Sequence, residues 1–377
     1  MTLFIKWAAA LFILMTLSGC WDAKEVEKLS FARGLAIDET SDRRYKLTYQ
    51  NLLPQSENSQ ASGRPVFVNV TTRGDTILEA VSEVALKDPP VYSDHLKVLI
   101  FSDKLLADQN ILQMMNHFIC DDELRRSSYL FAVRGKASDI LTEPTPNQQQ
   151  PMPAEKLIDL TNNGNYNGKI LQPLRIGRAS IYCHNKRSFL IQAVSSNQKG
   201  KTVYDGAAII KNAKQNRLAG FLSPYEIQSL NWLMGTIRGG VLPALDKGGH
   251  PITFEIKKST SAITPRLKNG KLSFHVAVKT KGLLSEDQYA GEDSFDQHYL
   301  NGLEKIFEKK LKSDVKEVID KLQNQYETDP VFFSDRVRIQ YPDYWKKVKH
   351  HWDETFSEAA FDYDVSIQIT NFGTMGR

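Results

Sequence analysis

The first twenty residues decide where the rest of the chain has to fold. Lys6 places a positive charge near the start, and Trp7 to Leu17 then carries no charge. The small residues Ser18 and Gly19 follow, and then Cys20. A basic start, a short apolar centre and a small-residue cleavage site make the layout of an export signal. The apolar run is too short to cross a bilayer as a helix, which takes about 20 apolar residues. Residues 1–19 are therefore expected to be a signal peptide, and the chain from Cys20 onward an exported body.

Cys20 adds a second constraint. Leu17-Ser18-Gly19-Cys20 resembles a bacterial lipobox, in which the bond between Gly19 and Cys20 is cut and Cys20 is acylated. The resemblance implies a palmitate-type covalent lipid on Cys20 as the membrane attachment, and no cofactor beyond it. Two acyl chains give a stable anchor where one is marginal. Residues 20–28 form the tether, and Asp22 and Glu25 stand at capping-box spacing within it. Nine residues reach at most about 30 Å, so the first folded unit lies close to the bilayer.

The remaining length exceeds what one core usually holds, and the pattern divides it. Residues 29–141 read as an N-terminal α/β domain. Its strands are Phe31 to Ile37, Tyr45 to Leu53, Val66 to Val70, Leu96 to Phe101 and Ser128 to Val133. Asp75 is placed to cap a helix with the stripe Ile77, Leu78, Val81 and Val84, and Ile111 to Ile119 forms a second helix. Thr142 to Pro153 holds four prolines and no apolar period, a linker. Residues 154–245 read as a middle α/β domain, in which Ser223-Pro224 starts a helix. Residues 252–377 read as a C-terminal α+β domain. Asn269-Gly270 joins two antiparallel strands there. Leu303, Phe307, Leu311, Val315, Val318, Leu322 and Tyr326 define a long helix. A second helix is expected over Tyr344 to Phe356, and the alternation from Phe361 to Ile369 ends the chain on a half-buried strand. The fold class is α+β: three mixed α/β domains, mostly antiparallel sheets with packed helices, behind a lipoprotein signal peptide.

No catalytic signature is present: no Gly-x-Ser-x-Gly elbow, P-loop or His-Glu-x-x-His. His350, Asp353 and Glu354 could share one helix face, but two or three ligands make a poor metal site. Cys183 and His184, read as neighbours in a strand, point to opposite faces and do not meet. Cys120 and Cys183 are expected to be buried free thiols. Asp121-Asp122-Glu123 lacks the glycine and spacing of a calcium loop. The net charge of +4 is too small to argue for nucleic acid or for strong attraction to anionic lipid. The lysines between 305 and 321 alternate with acids and read as a solvated helix face. Trp232, Trp345 and Trp352 read as core, with interface anchors as the other possibility.

Several segments in order carry a family resemblance. They are Gly19-Cys20-Trp21-Asp22 with Glu25, Arg33-Gly34-Leu35-Ala36-Ile37-Asp38, and Tyr92-Ser93-Asp94-His95-Leu96-Lys97 running on to Phe101. They continue with Ala207-Ala208-Ile209-Ile210-Lys211, Leu218-Ala219-Gly220-Phe221-Leu222, and Gln323-Asn324-Gln325-Tyr326. Pro342-Asp343-Tyr344-Trp345-Lys346 and Trp352 close the series. The chain resembles the Ger(x)C spore germination lipoproteins, departing from them at Thr328 to Ser334. The resemblance implies a non-enzymatic C subunit of a nutrient-germinant receptor. It would sit on the outer face of the spore inner membrane beside integral-membrane A-type and B-type subunits. The rival reading is a substrate-binding lipoprotein of a transporter, with two similar lobes around a cleft; an envelope hydrolase is the third.

Overall fold

In a computed structural model of the chain, the described residues are 7, 30–53, 66–87, 91–120, 125–142, 152–287 and 297–372. Gly19, Cys20, the tether, Asp121 to Glu123 and most of the Pro-rich stretch lie outside them. Among the described residues no helix is long and apolar enough to cross a membrane.

Nine strands build the larger sheet. They are β1 (Ser30–Glu39), β2 (Tyr45–Leu53), β3 (Val66–Gly74), β4 (Val91–Tyr92), β5 (Val98–Ser102), β6 (Tyr129–Arg134), β7 (Phe189–Ser196), β8 (Thr202–Lys211) and β9 (Arg217–Leu222). The order is β3-β2-β1-β5-β6-β7-β8-β9, with β4 beside β1. β1, β5, β6 and β7 run parallel in the middle, and antiparallel strands flank them. Every residue of β5 is buried, as expected of a strand covered on both faces. Leu35, Leu99, Ile191 and Ile210 face one core. That side is covered by α1 (Ile77–Ser82), α2 (Asp103–Asp108) and α3 (Ile111–Cys120). Ala36, Val98, Ile100 and Val133 face the opposite core. This side carries α4 (Ala137–Leu141) and α5 (Pro153–Asn162); α6 (Ile176–His184) returns to the first side.

The sheet continues across the Pro-rich stretch. β6 precedes it, β7 comes after it, and the two pair in parallel with Phe131 opposite Gln192. A parallel crossover needs a dozen or more residues, and this stretch with α5 and α6 provides them. Both ends of the stretch are fixed on β1 and β2. Gln50 Nε2 donates to the Leu141 carbonyl at 2.9 Å, and Gln50 Oε1 accepts from the Ala154 amide at 2.9 Å. Gly34 lies against Ala154 and Leu141, where a Cβ would be left only 3.0 Å. Arg33 pairs with Glu155. Strands expected in an N-terminal and a middle unit thus share one sheet.

The smaller sheet is β10 (Val241–Leu245), β11 (Pro251–Lys268), β12 (Lys271–Asp287) and β13 (Ala360–Phe372), in that order. Asn269 and Gly270 turn the β11–β12 hairpin at φ 51° and 76°, the left-handed values a type I′ turn requires. α7 (Pro224–Leu233) precedes this sheet and starts with the expected Ser223 cap, completed into a capping box by Glu226. α8 (Gln297–Asn324) lays its apolar stripe on the sheet, with the Phe307 and Phe254 rings 5.5 Å apart. Each fully buried side chain of that stripe contributes roughly 1.5–3 kcal/mol. α9 (Phe333–Gln340), α10 (Pro342–Val348) and α11 (Trp352–Ser357) come next. β13 then pairs in parallel with β12 and completes the sheet. Ala207, Ile209 and Leu222 of the larger sheet belong to the same core as Phe274 and Phe307, so the two sheets share one interior.

Local readings differ in six places. Tyr326, expected on the long helix, lies two residues past its end. Thr76 caps α1 in place of Asp75, because its hydroxyl reaches the Glu79 amide. Leu78 is exposed on that helix. Cys120 is exposed where α3 ends. Cys183 lies in a helix, α6, whose buried residues Ile176, Ala179 and Cys183 stand at helical spacing. The helix expected over Tyr344 to Phe356 is split by a 3₁₀ turn at Lys349–His351.

Candidate functional site

Four of the resembling segments, far apart in sequence, meet at one seam between the two sheets. Lys211, at the end of β8, is almost fully buried, and its ammonium donates to the Tyr326 carbonyl at 2.8 Å. The Tyr326 hydroxyl donates to the Phe221 carbonyl on β9 at 2.9 Å. Gly220 lies flat under the Tyr326 ring, and any Cβ there would run into it. Gln323 Nε2 donates to the carbonyls of Phe356 and Ala359 at 2.7 and 2.8 Å, tying α8 to the start of β13.

Asp329 is the centre of the seam. Its Oδ1 accepts from the Val331 and Phe333 amides at 3.3 and 3.0 Å. Its Oδ2 accepts from the Ser334 amide at 2.9 Å and from Trp352 Nε1 at 3.0 Å. Burial pushes its carboxyl above the usual carboxylate range, against the pull of these donors. Glu327 and Phe332 take left-handed φ values of 47° and 66° nearby, which cost a residue with a side chain about 1–2 kcal/mol. The grip of Asp329 on the turn between them holds that geometry. Thr328 donates to Ser188 Oγ, just before β7, at 2.7 Å. Arg187 pairs with Asp335 through Nη1 to Oδ2 at 2.9 Å. Trp352 packs edge-on to Trp345, with centroids 5.4 Å apart.

The sequence candidates divide clearly. Asp353 turns inward to Thr328 at 3.2 Å, while His350 and Glu354 stay exposed; the structure does not bring these three together. Among the described residues, no three His, Cys, Asp or Glu side chains are placed to hold a metal ion. Cys183 is buried, and burial pushes its thiol up to about 12; His184 Nδ1 instead meets its own helix at the Ser180 carbonyl, 2.8 Å away. Trp232 is fully buried core, while Trp345 and Trp352 are half-buried against it. Asp329 itself was invisible in the sequence; Asp-Pro between aromatic residues was the available signal. A cavity of about 390 Å³ opens beside the seam, lined by Arg175, Tyr182, Asn231 and Phe332 among others. The seam has the chemistry of a rigid joint. Its central carboxylate, Asp329, is buried and spent on backbone and indole donors.

The class is defined by a two-sheet α+β body joined at this seam. Residues 22–196 match the family model of the spore germination protein N-terminal domain, and residues 205–373 that of the spore germination B3/GerAC-like C-terminal region. The chain belongs to this family of spore germination proteins. It is 65% identical to spore germination protein B3 of Bacillus subtilis (strain 168), over 99% of each chain. It is 35% identical to spore germination protein A3 of the same organism, over 96% of each. The crystal structure of the GerBC protein is 59% identical, with a TM-score of 0.65 over 92% of this chain and 100% of that one.

Proposed function

We propose that the chain is the C-type subunit of a spore nutrient-germinant receptor and acts in the initiation of germination without catalysing a reaction. The observation that carries this is the full-length likeness to spore germination protein B3. The seam supports a structural role, since its polar groups are committed to holding the two sheets together. In this reading Cys20 carries the lipid after cleavage between Gly19 and Cys20. The anchor holds the body on the outer face of the spore inner membrane, beside integral-membrane A-type and B-type subunits. No cofactor is needed beyond that covalent lipid. The transporter reading expected two similar lobes joined by hinge strands, whereas one sheet here spans the expected division. Deleting the gene in a strain without paralogues tests the proposal. Spores should lose their response to one group of nutrients while vegetative growth is normal. Normal germination with every nutrient would overturn it.

A further inference from the structure

The cavity beside the seam is built from segments that the rest of the fold pins in place. Residues 171–174 lead into α6, and three bonds hold their backbone. The Leu171 amide donates to the Tyr204 hydroxyl at 2.8 Å, Gln192 Nε2 donates to the Leu171 carbonyl, and the Leu130 amide donates to the Leu174 carbonyl at 2.8 Å. Asn231, near the end of α7, donates to the Gly168 and Ile170 carbonyls at 2.8 and 3.0 Å. A further wall is the turn that Asp329 grips. Phe332, held there at its left-handed φ, places its ring 4.7 Å from the Tyr182 ring of α6. Strained backbone of this kind persists where the surrounding structure fixes it, often at ligand clamps. Walls set in advance lower the cost of ordering a ligand.

The walls are apolar and cationic. Leu174, Tyr182, Met234, Val331 and Phe332 supply apolar surface, and Arg175 and Arg178 supply charge. A second chamber of about 180 Å³ adjoins the first, shares Gln172 and Thr236 with it and adds Arg238. Aspartate and glutamate make up 44 of the 377 residues, yet none lines either chamber. Nearby Arg187 is paired with Asp335. Among the described residues, no carboxylate lies at ion-pair distance from Arg175, Arg178 or Arg238. Arg175 is turned to Tyr129, with Nη2 3.3 Å from its hydroxyl. The Arg178 guanidinium instead stands 6.0 Å from the Tyr182 ring that lines the cavity. Arg178 is thus a cation without an acid partner beside an apolar wall. Its planar fork matches a carboxylate, and a cavity of this size holds a small molecule.

We propose that this cavity binds a small organic carboxylate with an apolar body, its charge on Arg178 and its body against Tyr182, Phe332 and Met234. A ligand there touches both α6 and the seam turn. The site stands on these contacts alone and does not depend on the receptor reading. The buried residues of the three cores fall between Ala32 and Ile367, so the chain from Trp21 onward keeps the whole interior. That chain is titrated with phenylacetate and with hexanoate by saturation-transfer NMR, beside the amides of both acids. At least one of the carboxylates should bind with a Kd of about 1 mM, which ordinary ligand efficiency gives for molecules of this size. Its amide, which keeps the shape and lacks the charge, should bind about tenfold more weakly. Acetate and inorganic phosphate, which lack the body, should not displace it at equal concentration. Arg178→Met should weaken binding about tenfold. Gln172→Glu keeps the side chain's shape and adds a carboxylate to the wall, so it should weaken binding as well. Lys312→Met, on α8 and lining neither chamber, should change nothing. Arg178, Gln172 and Lys312 are all exposed, and circular dichroism and thermal unfolding confirm that each variant is folded. No binding of either carboxylate, equal binding of the amide, displacement by acetate or phosphate, or unchanged binding by the folded Arg178→Met variant overturns the proposal.

Discussion

Asp329→Asn removes one atom's worth of chemistry from the seam, and its cost can be worked from the geometry. Each carboxylate oxygen of Asp329 accepts from two N–H groups. An asparagine offers one oxygen and one NH₂. Whichever way the amide turns, two buried donors face a donor. An unsatisfied buried group costs about 1–3 kcal/mol. Removing a carboxyl that burial already disfavours in its charged form returns part of that. The net expectation is a loss of about 2–4 kcal/mol. Urea unfolding followed by tryptophan fluorescence reads it directly, since Trp352 is one of the donors. With a slope of about 3 kcal/mol/M, the midpoint should fall by about 1 M with the slope unchanged. Asp343→Asn is the control. It is exposed on α10 and pairs with Lys346, and an exposed pair of this kind is worth little, so the loss should stay below about 1 kcal/mol. If Asp329→Asn unfolds within about 0.5 kcal/mol of the unaltered chain, the four-donor grip does not hold the seam.

Other outcomes rest on the same contacts. Gly220→Ala should displace the Tyr326 ring and break its bond to the Phe221 carbonyl, lowering stability by about 1–3 kcal/mol in the same assay; a neutral result would show that the ring moves freely. Glu226 tests pH dependence. Burial raises its carboxyl, but bonds from Lys321 and Ser223 outweigh this and hold it below the usual range. A carboxyl lowered on folding stabilises above its unfolded value and loses that contribution as pH falls through the folded one. Stability should therefore drop from about pH 5 downward less steeply in Glu226→Gln, and parallel pH curves would contradict this. Glu304 and Glu308 of α8 accept from the Ile369 and Ile367 amides at the free edge of β13, at 2.8 and 3.0 Å; pairing Glu304→Gln with Glu308→Gln should keep those acceptors, whereas Glu304→Ala with Glu308→Ala frees the edge. Faster amide exchange at Ile367 and Ile369 in the alanine pair alone is expected, and equal exchange in both pairs would contradict the capping role.

Where a feature depends on neighbours in sequence, it was readable. The Asn269-Gly270 turn, the Ser223 cap and the α8 stripe from Leu303 to Leu322 all obey local rules and appear as expected. Features that depend on which strands pair were not. A Pro-rich stretch reads as a division, yet β6 and β7 pair across it because the crossover is anchored by Gln50 and Gly34, residues about a hundred positions upstream. Cys183 shows a signal overlooked: Ile176, Ala179 and Cys183 carry a helical period. The seam was legible only as scattered resembling segments. Their common purpose appears once Lys211, Gly220, Gln323, Tyr326 and Trp352 are seen within one set of contacts. The lysines of α8 from 305 to 316 are exposed, as a solvated helix face requires, whereas a sequence cannot show that Glu304 and Glu308 are spent on a strand edge.

The central claim is a germination subunit placed by its lipid, and Cys20→Ala tests it most directly. Spores lacking the gene are complemented with the unaltered chain or with Cys20→Ala, at matched abundance. Membrane fractionation and nutrient-triggered germination are then measured on the same preparations. The unaltered chain should fractionate with the membrane and restore the nutrient response. Cys20→Ala should be depleted from the membrane fraction and restore little of it, with its unfolding midpoint unchanged. A released Cys20→Ala protein that restores germination fully would contradict the account.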